Sequence, residues 1–223
     1  MCGRYSLFDN LETLQNEFHF QMNENSSLEP KYNIAPSQHV LAIASRNGAR
    51  IGNFLKWGLI PSWSKDSKIG YKLINARAET AHQKPSFMNS FHSKRCIIPC
   101  SGYFEWARSE SGKQPYRFHM RNNKPFALAG LYETWSSSSD VIHSCTILTT
   151  EANDLQAEIH ERMPVILNSE AVSVWLREES TLPDLQSLLV LYSSSEMTMT
   201  ALSDLVNSPS NQTAEVLTPL NSL

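Results

Sequence analysis

The chain has 223 residues, 41% of them hydrophobic and 18% charged, with a formal net charge of −3 at pH 7. That apolar content at this length supports a well-formed core, and the acidic balance argues against extensive non-specific binding to duplex nucleic acid, while leaving room for a short single-stranded site served by a few arginines. No run approaches the roughly 18 apolar residues of a membrane-spanning helix, and MCGRYSLFDN has no apolar region behind a basic start, so a soluble, cytoplasmic chain without a membrane span is expected.

Asp9 is placed to cap a helix running to about His19, with Leu11, Leu14 and Phe18 on one face. Strand-like segments dominate the middle: HVLAIA at 39–44, FLKWGLI at 54–60, RCIIPC at 95–100, PYRFHM at 115–120, FALAGL at 126–131 and CTILTT at 145–150. WSSSSD at 135–140 reads as a loop. EANDLQAEIH at 151–160 reads as a helix carrying Leu155 and Ile159, Ser169 is placed to cap a second with Val172 and Trp175, and 182–192 resembles a third. EMTMTA at 196–201 alternates like a strand. Short strands with interspersed helices and no regular βαβ rhythm give an α+β fold built on mostly antiparallel sheet. Without repeats, low-complexity tracts or a linker-like shift in composition, one domain over 1–223 is expected.

Cysteines stand at 2, 96, 100 and 145. In a reducing compartment they are expected as free thiols. Cys96 and Cys100 lack a second His or Cys pair at metal-ligand spacing, so with Cys145 they read as small core residues; no metal and no cofactor is expected.

Five features carry chemistry. Loss of Met1 would leave Cys2 with an α-amine and a thiol on adjacent carbons, whose reference pKa values are about 7.7–8.0 and about 8.5. An aldehyde would form an imine with that amine, and the thiol would then close a five-membered thiazolidine. The alternative is a Cys2 that is simply the second residue of a chain keeping its Met. In NARAE, strand geometry would put Asn75, Arg77 and Glu79 on one face and Ala76 and Ala78 on the other; the polar face is either plain surface or a site for a sugar or phosphate. Glu105, between Phe104 and Trp106, is either a buried carboxyl of raised pKa suited to acid–base work or a residue that alternation turns to solvent. His160 in IHERMP can shuttle protons, with Arg162 near enough for a phosphate, or can simply sit at a helix C-terminus. Trp57 and Trp63 bracket the WGLIPSW turn, either to stack on bases or to anchor packing.

Seven blocks occur together in order: MCGRY, YNIAP at 32–36, WGLIPSW, INARAET at 74–80, GYFEW at 102–106, IHERMP at 159–164 and VNSPSN at 206–211. In them the chain resembles the SRAP proteins (SOS response-associated peptidase, or abasic-site processing proteins) along almost its whole length. The resemblance implies a compact, barrel-like, mostly antiparallel β core with peripheral helices. It implies that Cys2, after Met1 removal, crosslinks to abasic sites in single-stranded DNA, acting as a lyase-like enzyme with autopeptidase activity at its own N-terminus. It gives catalytic roles to Cys2, Asn75, Glu105 and His160. Phosphate contacts fall to Arg4, Arg77 and Arg162, the DNA groove to Asn33 and Pro36, and the single-strand wedge to Trp63. The expected partner is abasic single-stranded DNA, met as a monomer in the cytoplasm and at the nucleoid when bound. Two other readings stand beside it. One is an N-terminal-nucleophile cysteine amidohydrolase or peptidase; the other is a non-catalytic single-stranded-DNA-binding module.

Overall fold

The computed structural model describes residues 2–22, 27–109 and 112–220. Along the chain, β1 (Tyr5–Leu7) precedes helix α1 (Leu11–Phe18), β2 (Gln21–Met22), β3 (Lys31–Ile34), β4 (His39–Arg46) and β5 (Ala49–Trp57). Next come β6 (Asn75–Arg77), the short helices α2 (Ala78–Ala81) and α3 (Met88–Ser93), then β7 (Arg95–Cys100), β8 (Gly102–Ser109) and β9 (Gly112–Met120). The long hairpin β10 (Phe126–Ser136) and β11 (Val141–Glu151) leads to α4 (Asp154–Ala157), β12 (Arg162–Pro164), β13 (Ile166–Leu167), α5 (Ser169–Leu176), α6 (Leu182–Ser187) and β14 (Met197–Ala201).

Strands β5, β4, β7, β10 and β11 pair antiparallel in that order. Parallel pairing of Ser144 and Cys145 on β11 with Lys56 and Trp57 on β5 returns the sheet to its start. The result is a closed five-stranded barrel, in which the closing edges satisfy each other. The second sheet, in the order β14-β9-β8-β1-β3, lies beside it and is wholly antiparallel. One apolar cluster takes residues from both sheets, including Tyr5, Tyr103 and Phe118 from the second and Ile43, Ile97, Leu128 and Ile147 from the barrel. Every residue of β7 is buried, which is why RCIIPC reads as a continuous apolar run. The α+β fold with a mostly antiparallel core is the one the strand pattern implies.

Several boundaries differ from the sequence reading, for local reasons. Asn10, not Asp9, caps α1: its Oδ1 accepts the Thr13 N–H at 2.8 Å, while Asp9 accepts the Ser101 hydroxyl at 2.5 Å. Likewise Asn168, not Ser169, caps α5 through the Ala171 N–H at 2.8 Å. The 151–160 helix shrinks to α4, because Glu151 is still paired in β11 and Asn153 supplies the cap. The 182–192 helix shortens to α6, opened by a capping box between Thr181 and Asp184. Strand β5 stops at Trp57 because Gly58 turns the chain at φ +127, and a Cβ there would lie 2.5 Å from the Gly70 carbonyl oxygen. In WSSSSD, Trp135 and Ser136 still belong to β10 and pair with Ile142 and Val141. All four cysteines are free and buried, with Cys96, Cys100 and Cys145 in the core as expected. No helix among the described residues is long and apolar enough to cross a membrane.

Candidate active site around Cys2

Strand β1 sets the position of Cys2. Tyr5 pairs with Tyr103 and Ser6 with Gly102, and the Phe104 N–H donates to the Arg4 carbonyl at 2.9 Å. The residues ahead of β1 therefore run alongside the 103–105 stretch of β8. Cys2 is buried, its Sγ 4.0 Å from the Arg4 carbonyl oxygen. Burial pushes the thiol well above its ordinary pKa, and the Glu105 carboxylate adds to the push. So buried, Cys2 is a poor thiolate.

Asn75 reaches it from β6. Its Nδ2 donates to the Cys2 carbonyl at 2.8 Å, while its Oδ1 is buried and has no hydrogen-bond partner among the described residues. A buried acceptor left open next to Cys2 is a place for a ligand donor.

Glu105 is 5% exposed, so the buried reading of its position holds. Its neighbours Phe104 and Trp106 pack with Leu202, Val206, Val216 and Leu217 of the C-terminal segment, so β8 is covered on both faces. Burial raises the carboxyl above its ordinary value, against the pull of His160 nearby. His160 directly follows the turn after α4, its backbone N–H donating to the Gln156 carbonyl at 2.9 Å, and is not itself on the helix. Its Nδ1 accepts the Arg162 backbone N–H at 3.0 Å, which leaves Nε2 as the protonated nitrogen of the neutral ring.

The arginines are placed by β11. Its end pairs with β6 on one edge (Thr149 with Arg77) and with β12 on the other (Thr149 with Pro164, Glu151 with Arg162). Arg77 is exposed. Arg162 is not open: its fork closes on Glu79, Nη1 to Oε1 at 2.7 Å and Nη2 to Oε2 at 2.9 Å, and Nη2 also donates to the Thr149 carbonyl at 2.5 Å. Burial works against ionising Glu79, but hydrogen bonds from Arg162 and the backbone hold its carboxyl below the ordinary value. Glu79 sits in the first turn of α2 rather than on the strand, so the alternation read in NARAE ends at Arg77.

Arg4 is the third arginine. Its Nη1 donates to Asn33 Oδ1 at 2.8 Å and to the Val206 carbonyl at 3.0 Å, and its guanidinium lies 5.7 Å from the Trp106 ring centre. Asn33 is fully buried; its Nδ2 donates to the Val206 and Ser208 carbonyls at 3.1 and 2.9 Å. In this arrangement Asn33 orients Arg4 and presents nothing to solvent, while Pro36 beyond it is half-buried at the turn into β4. Trp63 is 57% exposed, tethered by its indole N–H to the Pro85 carbonyl at 3.3 Å, whereas Trp57 is core, edge-on to Tyr5. So Cys2, Asn75, Glu105 and His160 share one site, Arg4 and Arg162 line it through partners, and Trp63 stands in an exposed loop.

The sequence reading missed Gln156. It is fully buried, accepts from the Tyr103 hydroxyl at 3.0 Å and donates to the Arg162 carbonyl at 3.3 Å. It ties β8 to the 160–162 segment, and no local pattern marks it.

The chain belongs to the SOS response associated peptidase (SRAP) family, whose model matches residues 1–209. Among its relatives is the abasic site processing protein YoaM of Bacillus subtilis, 46% identical over 97% of each chain. The abasic site processing protein HMCES of Xenopus tropicalis is 28% identical over 87% of this chain and 67% of its own. The X-ray structure of a protein from Bacteroides thetaiotaomicron has the same fold, with TM-score 0.89 and 27% identity over 98% of this chain and 99% of that one.

Proposed function

We propose that this chain processes abasic sites in DNA, as the names of its relatives state for them, and that Cys2 does the chemistry. The supporting observation is a buried cysteine whose carbonyl is fixed by Asn75, beside an open Asn75 acceptor and a buried glutamate of raised pKa. In this reading, hydrolysis ahead of Cys2 frees its amine, the autopeptidase step. The amine then adds to the ring-opened sugar aldehyde, and water leaves to give an imine. Next the sulfur adds to the imine carbon, its proton passing to the nitrogen, so that the thiazolidine adduct is the sum of protein and DNA less one water. Burial disfavours the thiolate, so the amine attacks first.

Glu105 moves the proton that opens the sugar hemiacetal and the proton that leaves with water. His160, close enough to Glu105 to act on its charge, shares that work and the reverse step. Asn75 holds the sugar. Arg4, Arg77 and Arg162 take phosphates of a single strand, Asn33 and Pro36 shape the groove, and Trp63 stacks at its edge. The protein acts as a monomer in the cytoplasm, at the nucleoid when bound.

The test is intact mass after incubation with an abasic single-stranded oligonucleotide. Wild type is expected to gain the oligonucleotide mass less one water. Cys2→Ala is expected to give no stable adduct, and Cys2→Ser only a reversible imine. A variant retaining Met1 that forms the adduct at the normal rate would overturn the thiazolidine mechanism. Adducts seen equally with amide substrates would favour an amidohydrolase.

A further inference from the structure

Arg162 is held as an arginine holding a bound oxyanion would be. Two oxygens lie on its planar fork at 2.7 and 2.9 Å, a third acceptor, the Thr149 carbonyl, lies 2.5 Å from Nη2, and Thr149 Oγ1 is 3.4 Å away. A guanidinium takes a phosphate in the same fork geometry as a carboxylate. The two oxygens here belong to Glu79, from the protein itself.

The two partners are unequal. The Arg162 side chain is 12% exposed, pinned against β11, and its Nε is buried with no hydrogen-bond partner among the described residues. Glu79 is 45% exposed and stands on a one-turn helix. The arginine is the buried, backbone-tied member and the carboxylate the exposed one. An ion pair this open to water is weak enough for another anion to replace. Arg77, paired in register with Thr149, lends its charge to the same spot.

We propose that Glu79 is an internal competitor for the phosphate subsite of Arg162. It fills the subsite while the protein is free of DNA and must be displaced by a backbone phosphate before the strand is seated. Glu79 thereby sets the affinity threshold of the site and limits adventitious anions. The inference rests on the reading of Arg162 as a phosphate-binding group.

The experiment is fluorescence anisotropy with an ordinary single-stranded oligonucleotide lacking abasic sites, so that binding is separated from crosslinking. It compares wild type, Glu79→Gln, Arg162→Ala and the double variant across a salt series. Glu79→Gln is expected to bind about two- to fivefold tighter, the size of an exposed ion pair. Its log–log salt dependence is expected to steepen by up to about 0.7, as one more phosphate contact is released from competition. Arg162→Ala is expected to bind more weakly, and the gain from Glu79→Gln is expected to vanish in that background. If Arg162→Ala unfolds, Arg162→Lys, which keeps the charge and loses the fork, takes its place. Unchanged or weaker binding by Glu79→Gln, with Arg162 still required, would overturn the inference and make Glu79 a positioning residue. An equal gain in both backgrounds would reduce it to a general charge effect and overturn it too. Wild-type binding by the Arg162 variant would instead sink the phosphate reading, and the inference with it.

Discussion

Replacing Asn33 should damage the molecule twice, through stability and through Arg4. Its side chain is fully buried and makes three hydrogen bonds: two from Nδ2 to the Val206 and Ser208 carbonyls, and one to Oδ1 from the Arg4 guanidinium. A neutral buried bond contributes about 1 kcal/mol net and a charged one about 1.5–3 kcal/mol, so Asn33→Ala should cost about 3–5 kcal/mol. That is a large part of the about 5–15 kcal/mol that holds a typical domain together. In urea the midpoint should fall by about 1–5 M, for a denaturant slope of about 1–3 kcal/mol per M. Asn33→Asp separates the two roles. It keeps an acceptor for Arg4 but turns a carboxylate toward two carbonyls, so it should also destabilise. Single-strand binding should weaken in both variants under conditions where they stay folded, because the loop 206–212 that steadies Arg4 has lost its anchor. Denaturation within about 0.5 kcal/mol of wild type, with unchanged binding, would refute the idea that Asn33 organises this end of the site.

Glu105→Gln should slow crosslinking by about 10²–10⁴, the usual contribution of a positioned acid–base group, measured by single-turnover gel assay against pH; a wild-type rate would remove Glu105 from the chemistry. The same variant carries a stability signature. Because the folded state raises this carboxyl above 4.5, it binds the proton more tightly than the unfolded chain, and wild-type stability falls as pH climbs from there through the folded pKa. Glu105→Gln should therefore gain on wild type at neutral pH and lose that advantage in acid, as read by thermal unfolding at several pH values. Gln156→Leu should leave the Tyr103 hydroxyl and the Arg162 carbonyl without partners, costing about 1–3 kcal/mol. It should also change the rate of adduct release by loosening His160, an effect that Gln156→Glu, which keeps an acceptor for Tyr103 but loses the donor to the Arg162 carbonyl, should not restore; an unchanged release rate in Gln156→Leu would show that the link does not govern His160.

What the sequence could reveal follows the range of each interaction. The strands at 39–44, 95–100, 115–120, 126–131 and 145–150 were legible because apolar runs and alternation are local, and the family resemblance named Cys2, Asn75, Glu105 and His160. The position of Glu105 was not legible from alternation alone. Phe104 and Trp106 point to the C-terminal segment and Tyr103 faces the main core, so both faces of β8 are covered and period two no longer separates inside from outside. The helix caps slipped by one residue because Asp9 and Ser169 are as good caps as Asn10 and Asn168 until tertiary partners choose between them. Gln156 could not be found at all: its partners Tyr103 and Arg162 are brought together by the fold, 53 residues apart in one case.

The charge of the site shows the same limit more sharply. Counted along the sequence, Arg4, Arg77 and Arg162 are three cations facing a strand of phosphates. In the fold, Arg162 is neutralised by Glu79, Arg4 is committed to Asn33, the Val206 carbonyl and the Trp106 ring, and Glu105 puts a further carboxyl nearby. Arg77 alone among the three is exposed without such a clamp among the described residues. With one of these three arginines uncommitted, in a protein of net charge −3, they offer a single strand little electrostatic hold on their own. On the proposed reading, affinity at this site would come from exchange, with phosphates replacing Glu79 and sugar groups filling the open Asn75 acceptor, and a covalent bond from Cys2 would supply the permanence that weak, salt-sensitive contacts would not.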